Sequence, residues 1–261
     1  MLSSAQVAAS AAAGHVLAAT GAAPSPLWYT ARATGVVALI LLTLTVALGV
    51  AGTTRLSTPS LPRLVRSGLH RNISLLSVAF VATHVLTTVL DPYASISITS
   101  AIVPFSSHYR PFWLSLGTIA FDMLLALVLT SMVRTRLSYR AWRAVHWLAY
   151  ASWPIALWHG LGTGSDSKLS WLLVLDAVCV LVVAAAALWR LQLLPPGRTR
   201  AIGRAAIAAI AAATVVFAAI GPLQAGWARR AGTPSSMLGP AHASAQHVTH
   251  SHASTTSGGA A

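Results

Sequence analysis

Four histidines stand inside apolar sequence: His70 and His84 in "GLHRNISLLSVAFVATHVLTTVL" (68–90), His146 and His159 in "AWRAVHWLAYASWPIALWHGLG" (141–162). An ionisable side chain in such a segment is costly and is a functional hypothesis by default. One histidine alone reads first as a hydrogen-bonded packing residue. Four of them in two segments, fourteen and thirteen residues apart, weaken that reading. At a rise of ~1.5 Å per residue the first pair is about 21 Å apart along its helix axis and the second about 20 Å. The matched spacings give two levels of facing imidazoles if the two segments run parallel. Two neutral imidazoles with no Cys or carboxylate beside them make a poor structural zinc site, which takes four ligands. They suit the two axial positions of a haem iron. Rotation is a second check: fourteen residues return to within about 40° of the starting direction, whereas thirteen leave His146 and His159 about 140° apart in an ideal helix. Pro154 lies between the latter two, and a proline that kinks or rewinds the helix would correct the phase.

The elements that position these residues follow from composition. A chain of 261 residues that is 56% hydrophobic and 8% charged, with a mean hydropathy of +0.70, is not a soluble globular protein. Six apolar stretches approach the ~20 residues that span a bilayer core, at roughly 33–50, 69–90, 112–133, 141–161, 169–190 and 201–221. Barrel strands would instead be ~10 residues of alternating polarity. The expected fold is all-α: a polytopic six-helix membrane bundle over 33–221, in which the second and fourth helices, separated by one, are parallel. Residues 1–32 read as a poorly ordered lead-in and 222–261 as a disordered tail. The lead-in has an Ala-rich middle but no basic n-region, so it is not read as a cleaved signal peptide.

Basic residues set the orientation, because short cytoplasmic loops collect Lys and Arg. Arg55, Arg63, Arg66, Arg71, Arg134, Arg136, Arg140, Arg143, Arg190, Arg198, Arg200 and Arg204 fall on one side, and Arg32, Arg110, Lys168, Arg229 and Arg230 on the other. Both termini are therefore expected outside a cell membrane. The net charge of +13 is a topology signal, with attraction to anionic lipid added; nothing in it calls for nucleic acid.

Other residues carry weaker signals. Arg66, Arg71 and Arg143 lie at the depth of His70 and His146, where they serve topology, pair with acidic groups of a cofactor, or both. Asp122 and Asp176, inside apolar segments, are candidates for proton guidance or a local hydrogen bond. Trp147, Trp153 and Trp158 read as packing residues. His108, in the long loop "DPYASISITSAIVPFSSHYRPFW", is a candidate for contact with an acceptor. His242, His247, His250 and His252 sit in a Ser, Ala and Gly-rich tail that reads as solvated, with weak metal binding as the other option. Cys179, the one cysteine, reads as core packing and rules out an intramolecular disulfide.

The spacings His70 to His84 and His146 to His159, together with "LHRN", "VHWLAYASWP" and "WHGLGTGSD", resemble the ferric reductase-like transmembrane domain superfamily. It includes ferric reductases, NADPH oxidases and the haem-binding membrane subunit of the bacterial methionine sulfoxide reductase system. The resemblance spans about residues 33–221. It implies two haem b groups stacked across the membrane, one held by His70 and His146 and the other by His84 and His159, and it implies transmembrane electron transfer. Oxidase and reductase members carry a flavin and nicotinamide domain after the last helix. Only about forty residues follow here, with no strand-and-glycine fingerprint. The expected electron donor is therefore separate, a membrane quinol or a flavoprotein on the arginine loops. The expected acceptor is extracytoplasmic: ferric iron, oxygen or a redox protein. The alternative is a non-redox membrane component, a metal permease or an assembly subunit, passing metal ions along the histidines.

Overall fold

The computed structural model describes residues 25–53, 63–94, 96–164, 169–234 and 237. Among these residues the regular elements are helical, with no strand. Five helices are long and apolar enough to cross a membrane: α1 (Pro26–Thr53), α2 (Arg63–Leu90), α4 (Pro111–Met132), α7 (Ser170–Gln192) and α8 (Arg198–Ile220). Short helices α3 (Ile98–Ile102) and α9 (Trp227–Arg230) lie between and after them. The protein is thus a multi-pass helical membrane protein.

α1 begins at Pro26, ahead of the expected 33. Proline is pre-set for a first helical position, and the Ser25 hydroxyl accepts the Trp28 N–H at 3.1 Å. The polar residues of "YTAR" hid this start from an apolar-length criterion.

The expected span at 141–161 is divided into α5 (Tyr139–His146) and α6 (Leu148–Thr163), too short for the length criterion that the other five meet. The division falls at Trp147. Its N–H bonds the Ala144 carbonyl, and its own carbonyl accepts from Tyr150, both at the i to i+3 spacing of a tightened turn. Pro154, which cannot donate to the Tyr150 carbonyl four residues earlier, is held inside α6. The rotational conflict between His146 and His159 disappears because the two residues sit on different helices and the 100° phase does not carry across.

α6 lies in the middle of the bundle. Trp153, Leu157 and Leu161 are buried with Cys179 of α7 and pack on Leu39, Leu42 and Val46 of α1 and on Phe217 of α8. Buried indoles need an acceptor: Trp153 Nε1 donates to Thr43 Oγ1 and Trp158 Nε1 to Thr214 Oγ1, each at 2.9 Å. Trp147 is exposed at the helix break under the Arg190 guanidinium, 5.4 Å from its ring centre. Leu75, Leu86, Val174, Leu181, Val215 and Ile220 face outward, the apolar exterior that lipid requires.

The segment after Pro222, expected to lack packing, starts as a packed cap. Trp227 Nε1 donates to the Gly162 carbonyl at 3.2 Å, and Met237 rests on the buried group Ala94, Ile96 and Tyr109. A compositional average hides one tryptophan placed where a helix end can receive it. The tail histidines and residues 1–24 lie outside the described residues.

Arg110 ties this cap to the bundle. It is buried, its N–H donates to the Gly232 carbonyl, Nε to Thr233 Oγ1 at 2.8 Å and one terminal nitrogen to the Gly162 carbonyl at 2.9 Å. Burial lowers the Arg110 guanidinium from its usual value and raises the Tyr109 hydroxyl beside it. Arg110 also adopts φ 42°, a left-handed conformation that disfavours L side chains. Arg110→Ala is expected to destabilise the protein by about 2 kcal/mol or more, from two lost bonds of a charged donor. Arg110→Gly loses the same bonds but relieves about 1 kcal/mol of backbone strain. Thermal melts in detergent should rank wild type above Gly above Ala; an Ala variant melting above Gly would show that the backbone is unstrained.

Candidate functional site

His84 on α2 and His159 on α6 meet with ring centres 6.2 Å apart and planes at 76°. The His84 Nδ1 lies 2.6 Å from the Ala31 carbonyl of α1, and the His159 Nδ1 lies 2.9 Å from the Trp113 carbonyl of α4. A carbonyl only accepts, so each ring carries its hydrogen on Nδ1 and keeps the Nε2 lone pair for another partner. That is the tautomer of a metal-ligating histidine whose far nitrogen is fixed by a backbone oxygen. With metal–nitrogen bonds of about 2.0–2.1 Å and ring centres about 1 Å further back, two imidazoles on opposite sides of one ion have centres about 6 Å apart. The observed separation fits one ion between two imidazoles. Among the described residues no group of three His, Cys, Asp or Glu forms.

The anchors are themselves held. Trp113 stacks on Phe217 at 4.5 Å and 19° and touches Trp227 at 5.4 Å. Its indole lies so close to Gly162 that any side chain there would overlap the ring. One of the glycines of "WHGLG" is therefore a packing requirement.

His70 and His146 form the second level, close enough for their charges to interact. His70 faces the backbone of Thr45 on α1. Trp142 stacks on His146 at 4.8 Å and 25°, and the Arg134 guanidinium sits 4.5 Å above Trp142. Here the polar atoms are unsatisfied: His70 Nδ1, His146 Nδ1 and Trp142 Nε1 are all buried without a hydrogen-bond partner. Proteins rarely leave such atoms unpaired. The first level therefore fits haem by its ligand geometry, and the second repeats its pairing of one imidazole from α2 with one from the broken span.

Residues 34–157 match the family model of the ferric reductase like transmembrane component. This segment belongs to the ferric reductase-like transmembrane family. Membership points to a membrane electron-transfer component. The ferric reductase-like match takes in His70, His84 and His146 and ends just before His159, which the structure brings against His84. No curated protein and no solved structure matches the chain.

Of the remaining candidates, Arg66 is half-buried, while Arg71 and Arg143 are exposed near the His70 and His146 level. Asp176 is close enough to the buried Cys179 to influence it, and Asp122 is half-buried on α4. Neither carboxylate joins the histidines. His108 is exposed in the loop before α4. The sequence reading missed Gly35, Gly49 and Gly117, each of which faces one of the four imidazoles. A signal was present: Gly35 and Gly49 are spaced fourteen apart, as His70 and His84 are.

Proposed function

We propose that the protein is an integral membrane dihaem cytochrome b of the ferric reductase-like type. In this reading His84 and His159 are the axial ligands of one haem b, and His70 and His146 of the other. Electrons pass from a separate donor at the arginine-rich end to an extracytoplasmic acceptor. The observation that carries it is the His84–His159 pair, with rings 6.2 Å apart and both Nδ1–H groups committed to backbone carbonyls.

When bound, haem supplies one-electron chemistry that no side chain of this chain offers. The protein's own contribution is placement. The imidazoles are held at two depths by a parallel arrangement of α2 with α5 and α6, which agrees with His70 lying near His146 and His84 near His159. Taking α5 and α6 as one broken span gives the six-span bundle with both termini outside. α1 and α4 supply the carbonyls that fix the ligands. Apolar packing around Leu157 and Trp153 keeps water from the space between the two levels.

Electron entry at the arginine-rich end is supported by the surface there. A hollow of about 430 Å³ lined by Tyr139, Arg140, Arg143, Ala144 and Trp147 opens on the helix that carries His146. Arg190 covers Trp147 in its wall, and Arg134 covers Trp142 on the same helix. A cationic and aromatic face of this kind suits a flavoprotein, and a quinol could reach the same depth from the bilayer.

The test is a pyridine-haemochrome assay with protein quantification on the purified chain. The expected result is two haem b per chain. A colourless protein would overturn the proposal and favour a metal permease or assembly subunit.

A further inference from the structure

Three of the four imidazoles rest against α-helical turns of the same construction. His84 donates to the carbonyl of Ala31 and faces Gly35, four residues on. His159 donates to the carbonyl of Trp113 and faces Gly117, again four residues on. His70 faces the Thr45 backbone and Gly49, in the same relation. The spacing has a physical reason. In an α-helix the carbonyl of one residue is bonded by the N–H four residues later, and the side chain of that later residue leans back over the preceding turn. It covers the flank from which a second donor could approach. A glycine there leaves the flank open.

Little room is left at each of these glycines. A Cβ at residue 117 would lie 2.5 Å from both Cε1 and Nδ1 of His159; at residue 35 it would lie 3.0 and 3.1 Å from Cε1 and Nδ1 of His84; at residue 49 it would lie 3.3 Å from Cε1 of His70. Other helical glycines tolerate a methyl group: at Gly52 of α1, Gly68 of α2 and Gly160 of α6 it would meet nothing within 4 Å. Gly52 shares α1 with Gly35 and Gly49, so the contrast holds within one helix.

Resting on the haem-ligand reading above, we infer that Gly35, Gly49 and Gly117 are positioning residues: Gly35 and Gly117 each open a notch beside a helical carbonyl into which an imidazole docks, fixing its tautomer and its plane, and Gly49 opens the same space for the His70 ring, fixing its plane by contact. The docked hydrogen bond makes the ring a more basic ligand, which favours the ferric state. Filling a notch should therefore raise the midpoint potential of that haem and alter its low-spin EPR spectrum, which depends on the orientation of the two rings.

The test uses the full chain in detergent, with Gly117→Ala, Gly35→Ala and Gly49→Ala beside the controls Gly160→Ala and Gly52→Ala. Redox titration and EPR are expected to show a change confined to the His84–His159 haem, large in Gly117→Ala and smaller in Gly35→Ala. The smallest change, in Gly49→Ala, is confined to the other haem, and both controls match wild type. If Gly117→Ala fails to fold, Gly35→Ala decides by the same readout. Wild-type spectra and potentials in folded Gly35→Ala and Gly117→Ala, or equal changes in the controls, would overturn the inference. A second measurement needs no haem: ¹⁵N NMR of the histidine rings should find the Nδ1–H tautomer at His84 and His159 in wild type and its loss on filling the notch. Wild-type protein that lacks haem but keeps those tautomers would overturn the dihaem reading and leave the notches standing.

Discussion

Replacing either His84 or His159 with alanine is expected to remove the same haem, so that both variants retain about one haem per chain and give the same residual EPR spectrum. The two residues come from helices far apart in sequence, yet their rings lie 6.2 Å apart, and each is pinned from behind by a different helix, α1 through Ala31 and α4 through Trp113. Neither imidazole is redundant, because no third His, Cys, Asp or Glu among the described residues joins them as a substitute ligand. Transmembrane electron transfer should fail in both variants, since the remaining haem leaves a gap of about half the ~30 Å hydrocarbon core. The measurement is a redox titration with optical and EPR detection on both proteins. If His84→Ala instead matched His70→Ala, one haem would depend on both α2 histidines, and the pairing across helices would be wrong.

How much of this could be read from the chain alone follows from the range of each interaction. The histidine spacings and the apolar spans are local periodicities, so the ligand candidates, the helical class and the ferric reductase-like family were all legible. The break at Trp147 was not: it arises from a tightened turn a few residues ahead of Pro154, and the proline itself had been taken as the point of correction. The packed start of the tail was invisible because its order comes from contacts made across the fold, Trp227 to Gly162 and Arg110 to Gly232 and Thr233. The notches were half legible. The fourteen-residue recurrence of Gly35 and Gly49 is in the sequence, but only the antiparallel docking of α1 on α2 sets residue 35 against His84 and residue 49 against His70.

At the other level, His70→Ala and His146→Ala should form a second matched pair, distinguishable from the first by where electrons stop. Both are expected to lose the haem nearest the arginine-rich end and to keep the His84–His159 haem with its spectrum intact. The proposed donors enter at the lost end, so a quinol or a reduced flavoprotein should no longer reduce the remaining haem on the wild-type timescale, whereas dithionite, which needs no docking site, still should. The two variants should also differ in one respect that the structure dictates. His146 lies in a stack under Trp142 and Arg134, and no glycine notch holds it. Losing it leaves Arg134 and Trp142 without the ring they cover, so His146→Ala should lower the melting temperature more than His70→Ala, whose α1 face loses only a close contact with Gly49. Stopped-flow reduction with each donor, followed by dithionite and a thermal melt, reads all three effects. Donor-driven reduction of the remaining haem at the wild-type rate in either variant would mean that electrons enter at the opposite end, and the direction proposed for the whole chain would be reversed.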